Sequence, residues 1–250
     1  MNIQNIPKED VRVKRAFLPK LDAFLFFDYD SIELRLLAFY MEAVGDKTMV
    51  EAFKQGKDLH EESAKAILEK SVVTKTERDY GKTFNYATVY GQGITKCALV
   101  LGITKNEAKE ALGRFRNLWP GIPILQSEIE EQLLQRGYIK TLEGRRLHPT
   151  PEYKALNWLI QGSAAGIMRE AVRKVYVELK SVGVESHIVN IVHDELMLDC
   201  LHDEIGYLVT NVPDLMIDEI VSQTIPMEVS VEYSENTWAD KESFSSIFPS

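Results

Sequence analysis

No apolar run in this 250-residue chain approaches the roughly 20 residues that span a bilayer, so the sequence holds no transmembrane helix. The opening stretch, MNIQNIPKED, lacks the apolar core of a secretory signal. Cysteine is scarce: Cys97 and Cys200 lie far apart and without metal-ligand spacing. They read as free thiols in a reducing compartment, which points to the cytoplasm. Internal repeats and low-complexity linkers are missing too. Positive charge is in deficit, with 29 Lys and Arg against 38 Asp and Glu and a formal net charge of −9. Phosphate binding favours basic surfaces, so the sign weighs against a free-standing duplex binder. A local basic stripe can still hold phosphate on an otherwise acidic surface, so a catalytic role on nucleic acid stays open.

What is present suffices for one large or two modest domains with a buried core. The stretch LDAFLFFDYD (21–30) reads as a buried strand, followed by a helix over 31–45 that Gly45 ends. A second helix covers 60–70. Thr74 and Glu77 have capping-box spacing and open a helix to about Tyr90, and Thr104 and Glu107 repeat the signal for a helix reaching Trp119. Pro123 begins another helix, which Gly137 ends. A small hairpin turning near Glu143-Gly144 is expected over 137–149, then a long helix over 152–181. The hairpin HIVNIVHDELMLDC (187–200), a helix around 202–222 and the strand PMEVSVEY (226–233) complete the chain. Three of four main strands fall in the last third and one near the start. That order predicts an α+β fold whose antiparallel sheet is assembled from both ends, with a helical insertion between.

Chemistry concentrates at two strand ends and on one helix. Asp28 closes an apolar strand, and Asp194 with Glu195 sits between two others. If those strands share a sheet, Asp28 and Asp194 converge at its edge, where they repel unless a cation lies between them. Oxygen ligands of this kind suit Mg²⁺ or Mn²⁺, and paired ions of this type serve in-line displacement at phosphorus. Each acid taken alone reads more readily as a solvated strand end. On the helix opened by Thr74, Arg78, Lys82, Tyr86 and Tyr90 recur every four residues. Each step turns about 400°, so they form one slowly drifting stripe about 18 Å long. Two cations lie near the helix start, where the dipole also favours anions, and two aromatic rings follow. That order suits a polyphosphate at one end and a base or sugar at the other.

These residues carry a resemblance. DYDSIELR (28–35), RDYGKTFNYATVYG (78–91) and VHDE (192–195) resemble the three polymerase motifs of family A DNA polymerases, the bacterial polymerase I type. NIQNIP (2–7), GKDLH (56–60), GYIKTLEGRR (137–146) and NWLIQGSAA (157–165) agree in order. The resemblance implies a right-hand architecture: an antiparallel palm from residues 1–45 and 137–250, and helical fingers over 46–136 with a mobile helix at 75–90. It implies DNA-directed DNA synthesis, a primer 3′-hydroxyl attacking a dNTP. Asp28, Asp194 and the Tyr29 carbonyl would hold two Mg²⁺ ions, Mn²⁺ being a possible substitute, with Glu195 in support. Arg78 and Lys82 would grip the triphosphate, and His60 would lie on its side. Tyr86 would stack by the sugar and base, and Tyr90 by the template base. Glu33 would block a ribose 2′-hydroxyl. His193, Asn157 and Gln161 would contact primer–template DNA, and Arg35 would be structural or close to substrate. Closure of the helix would complete the site around a correctly shaped pair.

Several departures stand out. Asp30-Ser31 replaces the family's usual Ser-Gln and adds a carboxylate. Tyr86 replaces a frequent phenylalanine, a form associated with ready acceptance of dideoxynucleotides. Ala87 stands where glycine is usual, Tyr153 where an arginine is usual, and the stretch from Arg146 to Asn157 is short. A thumb and an exonuclease-like domain are not in this sequence, which suggests a fragment or one subunit of a split polymerase, as in a phage replication gene, acting with a thumb-bearing polypeptide. Two other readings remain: a relative of phage-type single-subunit RNA polymerases, which would not be expected to carry Glu33, and a non-catalytic subunit of a replication complex.

Overall fold

The computed structural model describes residues 11–89 and 94–248. A short helix, α1 (Val11–Lys14), precedes β1 (Ala23–Tyr29) and α2 (Ile32–Ala43). There follow α3 (Thr48–Lys54), α4 (Leu59–Leu68), α5 (Lys75–Val89), α6 (Ile94–Leu101), α7 (Lys105–Leu118) and α8 (Gly121–Arg136). The hairpin β2 (Ile139–Lys140) and β3 (Arg146–Leu147) leads to α9 (Ala155–Val182) and the second hairpin, β4 (His187–Val192) and β5 (Glu195–Cys200). The chain finishes with α10 (Ile205–Met216), α11 (Glu219–Ser222), β6 (Val229–Ser234), β7 (Glu242–Ser243) and α12 (Phe244–Ile247). Among the described residues no helix is long and apolar enough to cross a membrane.

The main sheet has the order β4-β5-β1-β6-β7 with antiparallel pairing throughout. The expected α+β class, with a sheet built from both ends of the chain, is thus what forms. β1 takes the centre because its run AFLFFDY is apolar on both faces, and five of its first residues are buried in succession. Its register sets Asp28 opposite Glu195 on β5 and opposite Ser230 on β6. Alternation then puts Phe24, Phe26 and Asp28 on one face, with Met197 and Glu232 across from Phe26. Phe24, Phe26, Met197 and Trp238 form a buried cluster on that face, and Phe17 meets Trp238 edge-on at 5.5 Å.

The chain divides into two compact units. A sheet unit comprises the described residues of Met1–Ile32, Ala165–Ser222 and Met227–Ser250, and a helical unit comprises Glu33–Ala164 with Gln223–Pro226. In the helical unit α4 crosses α5 closely at Gly81. A Cβ there would lie 2.0 Å from the His60 carbonyl oxygen, so only glycine admits the crossing. Buried polar groups tie the same crossing: Ser63 Oγ donates to Asn85 Oδ1 at 2.7 Å, and Trp119 Nε1 donates to Ser63 Oγ at 2.9 Å. Both expected capping boxes form. Glu77 Oε2 accepts from the Thr74 N–H at 2.8 Å, and Thr104 and Glu107 make the reciprocal pair at the start of α7.

Several boundaries differ from expectation, among them the starts of α9 at Ala155 rather than 152 and of β6 at Val229 rather than 226. α8 begins at Gly121 rather than Pro123, because the Asp46 carboxylate accepts the Gly121 N–H and supplies the missing cap. The helix expected over 202–222 is two helices. Asp218 Oδ1 accepts from the N–H groups of Ile220 and Val221 at 3.0 and 2.9 Å and starts α11 afresh.

Candidate active site

Asp28 lies at the end of the central strand and carries the clearest electrostatic signature of the sheet unit. Burial pushes its carboxyl up from 3.8 to about 7, and the neighbouring Asp194 and Glu195 carboxylates push the same way. Its Oδ1 is buried and accepts no hydrogen bond. An orphaned carboxylate oxygen among other carboxylates has the oxygen chemistry that a hard divalent cation takes. Asp194 sits in the β4–β5 turn, and its carbonyl accepts from the Tyr29 N–H at 3.4 Å. The expected convergence of Asp28 and Asp194 is therefore what the sheet produces. Tyr29 is buried with its hydroxyl donating to the Met216 carbonyl.

Two turns flank this edge in uncommon conformations. His193, exposed in the β4–β5 turn, has φ of 57°, and Ser31, between β1 and α2, has the same value. Side chains in the left-handed region cost about 1–2 kcal/mol each and cluster at functional sites.

Lys241 and Glu232 were not expected here. The Lys241 ammonium pairs with both Glu195 and Glu232 and lies 5.1 Å from the centre of the Phe26 ring. It draws those two carboxylates together, and its charge offsets part of the rise at Asp28 while Asp28 Oδ1 stays without a hydrogen bond. No group of three or more His, Cys, Asp or Glu is gathered as a metal cage among the described residues. Only the register of β1, β5 and β6 reveals the cluster: Glu232 reaches it through its place opposite Phe26, and Lys241 through the turn beyond Trp238.

The helical unit holds the cation stripe. Arg78 and Tyr86 are half-buried and Lys82 is exposed, whereas Tyr90 lies outside the described residues. Arg78 Nε donates to Asp58 Oδ2 at 2.6 Å. Asp58 also caps α4, its Oδ1 accepting from the N–H groups of His60 and Glu61 at 2.8 and 3.1 Å. These bonds hold its carboxyl below the usual range despite partial burial. His60 is buried, and its ring lies 5.8 Å from that of Tyr86. Burial first, then the Arg78 charge, lowers its pKa to about 4, so the ring is neutral near pH 7. Asn85 fixes the tautomer. Its Oδ1 accepts from Ser63, so its Nδ2 faces the Leu59 carbonyl and His60 Nδ1 as a donor, and the ring proton falls on Nε2.

The remaining candidates also fall in the helical unit. Gln161 Nε2 approaches Glu33 Oε1 at 3.5 Å. Asn157 Oδ1 is buried with no hydrogen-bond partner. Arg35 is buried, donates to the Pro226 carbonyl and lies 4.8 Å from the Phe53 ring centre, which supports the structural of its two expected roles.

Comparison with known proteins agrees with this geometry. The profile of DNA polymerase family A matches residues 1–240. The chain is 34% identical to DNA polymerase I of Geobacillus stearothermophilus over 258 aligned residues, 96% of this chain and 29% of that protein. It is 31% identical to DNA polymerase I of Bacillus subtilis (strain 168), again over 96% of this chain and 29% of that protein. Among solved structures, the POL domain of Pol1 from M. smegmatis in complex with DNA primer-template and dNTP matches with a TM-score of 0.85 at 30% identity. That match covers 95% of this chain and 44% of the other. The chain thus spans less than a third of the length of these curated relatives. On its motifs, its sheet and these matches, it belongs to DNA polymerase family A.

Proposed function

We propose that this chain carries a polymerase active site that transfers a nucleotide from a dNTP to a primer 3′-hydroxyl under direction of a template. The observation that carries the reading is Asp28: a desolvated carboxylate with an orphaned oxygen, set beside Asp194 at the edge of the central strand. Asp28, Asp194 and the Tyr29 carbonyl would hold two divalent cations, Mg²⁺ or in its place Mn²⁺. Bound there, such ions ease deprotonation of the 3′-hydroxyl and offset charge on departing pyrophosphate.

The chain's own side chains do the rest. Lys241 holds Glu195, so the carboxylate adjoining Asp194 supports the site without being a principal ligand. Arg78 and Lys82 neutralise the triphosphate, Arg78 through a planar fork suited to two phosphate oxygens. His60, neutral and with its proton on Nε2, can donate to a phosphate oxygen without adding charge. Tyr86 supports the sugar and base, and Tyr90 the template base. Glu33, steadied by Gln161, occupies the room that a ribose 2′-hydroxyl would need. Asn157, Gln161 and His193 bind the primer–template. In this reading residues 1–45 and 137–250 form the palm and 46–136 the fingers, with 75–90 the helix that moves.

Primer extension with Mg²⁺ and four dNTPs, run on the chain alone and with a thumb-bearing polypeptide, tests the reading. Asp28→Asn or Asp194→Asn is expected to abolish extension while leaving the protein folded. Near-normal extension by either variant would overturn it.

A further inference from the structure

We propose that Asp58 is a positioning residue for the incoming dNTP: it fixes Arg78 by its Nε group and so presets the guanidinium for the triphosphate. The inference rests on the polymerase reading above and extends it to a residue outside the cation stripe.

Three observations combine. First, the Asp58 carboxylate is immobilised from its other side, where Oδ1 accepts two backbone N–H groups at the start of α4. Oδ2 is thereby held towards Arg78 at 2.6 Å. Second, that bond engages Nε and leaves Nη1 and Nη2 to other acceptors; a guanidinium can bind one anion along each edge of its fork. Third, α4 and α5 are locked to one another. The Gly81 crossing brings α5 against the His60 carbonyl, and Asn85 on α5 donates to both the Leu59 carbonyl and His60 Nδ1 on α4. A shift of α5 would therefore carry α4 along, and Asp58 would keep hold of Arg78 wherever the helix goes.

The consequence for binding is preorganisation. A free arginine side chain must be ordered when it meets phosphate, and that cost appears as weaker affinity. Arg78 is ordered beforehand. The opposite effect, competition between Asp58 and the triphosphate for one cation, would show the reverse sign. An ordinary half-exposed ion pair would show no effect at all.

The test uses the chain with a dideoxy-terminated primer–template and Mg²⁺, and measures the dissociation constant of the matched dNTP by calorimetry for wild type, Asp58→Asn, Arg78→Ala and the double variant. Asparagine keeps an oxygen to cap α4, so the melting temperature should stay within about 2 °C of wild type. Asp58→Asn is expected to raise the dissociation constant roughly 3- to 10-fold, the value of one ordered long side chain. The double variant should bind no more weakly than Arg78→Ala. Asp58→Ser, which also retains a capping oxygen, should repeat the result if the asparagine variant melts early. Unchanged or tighter binding by Asp58→Asn, or losses that add to those of Arg78→Ala, would overturn the proposal. Wild-type affinity in Arg78→Ala would instead overturn the assignment of Arg78, and this inference with it.

Discussion

Replacing Asp28 with asparagine should stabilise the protein while destroying its proposed activity. In the absence of a cation, the ionised Asp28 carboxylate is penalised by burial and by Asp194 and Glu195. The difference between 3.8 and about 7 corresponds to about 4 kcal/mol in favour of the neutral form. Part of the group faces solvent, and screening reduces the usable figure to about 2–3 kcal/mol. The sign follows from linkage. The folded pKa is raised, so the folded state binds the extra proton between about 4 and 7. Stability is full below about pH 4 and is lost as pH rises through about 7. Asparagine removes that loss. In EDTA at pH 8, Asp28→Asn should therefore melt roughly 5–10 °C above wild type, and the pH slope between 4 and 7 should flatten. Added Mg²⁺ or Mn²⁺ should raise the wild-type melting temperature and leave the variant unmoved. Scanning calorimetry across pH, with and without metal, makes the comparison. A variant that melts below wild type in EDTA, or that gains as much from Mg²⁺, would refute the reasoning.

Other perturbations probe separate parts. Gly81→Ala should destabilise the helical unit by about 2 kcal/mol or more in urea titration, because the new methyl meets the His60 carbonyl and has no flexible side chain to displace; a change under about 0.5 kcal/mol would contradict the close crossing. Lys241→Met should cost about 3 kcal/mol by leaving the buried Glu195 without its cation, and adding Glu195→Gln should recover most of that loss. His60, with a pKa lowered to about 4, binds its proton in the unfolded chain first, so its stabilising share is complete above about pH 6.5 and is lost as pH falls towards 4. That share, about 1–2 kcal/mol after discounting for screening, should vanish from the acid limb in His60→Asn; identical limbs would disprove it. Glu33→Ala should raise ribonucleotide incorporation roughly tenfold or more in primer extension, and no gain would count against its role as a barrier to the 2′-hydroxyl.

Local signals in the sequence carried most of the fold. The unbroken apolar run of β1 announces a central strand, and the two Thr–Glu capping boxes mark α5 and α7 because both partners lie within one turn. Asp28 and Asp194 were legible for a related reason: each is a charge at the end of an apolar strand. What escaped depends on pairing across long separations. Asp46 caps α8 from 75 residues away, and Lys241 meets Glu195 only once β1, β5 and β6 are in register. Asp58 lies within the GKDLH stretch, but its bond to Arg78 requires the close crossing of α4 on α5, which one glycine permits. The split of the expected 202–222 helix turned on Asp218, a capping residue in a stretch whose apolar pattern runs on without a break.

The place of β1 also bears on how the chain is made. The central strand is synthesised before both of its neighbours, since β5 and β6 lie about 170 or more residues downstream. At typical synthesis rates of about 5–20 residues per second, Phe24, Leu25, Phe26 and Phe27 wait roughly 10–30 s for a partner edge. During that interval an unpaired apolar strand is open to pairing with other chains. The helical unit, by contrast, is built largely from neighbouring helices and can close as it emerges. Production in quantity should therefore respond more to added chaperone than to any change in the helical region, with aggregation seeded by the strand that bears Asp28.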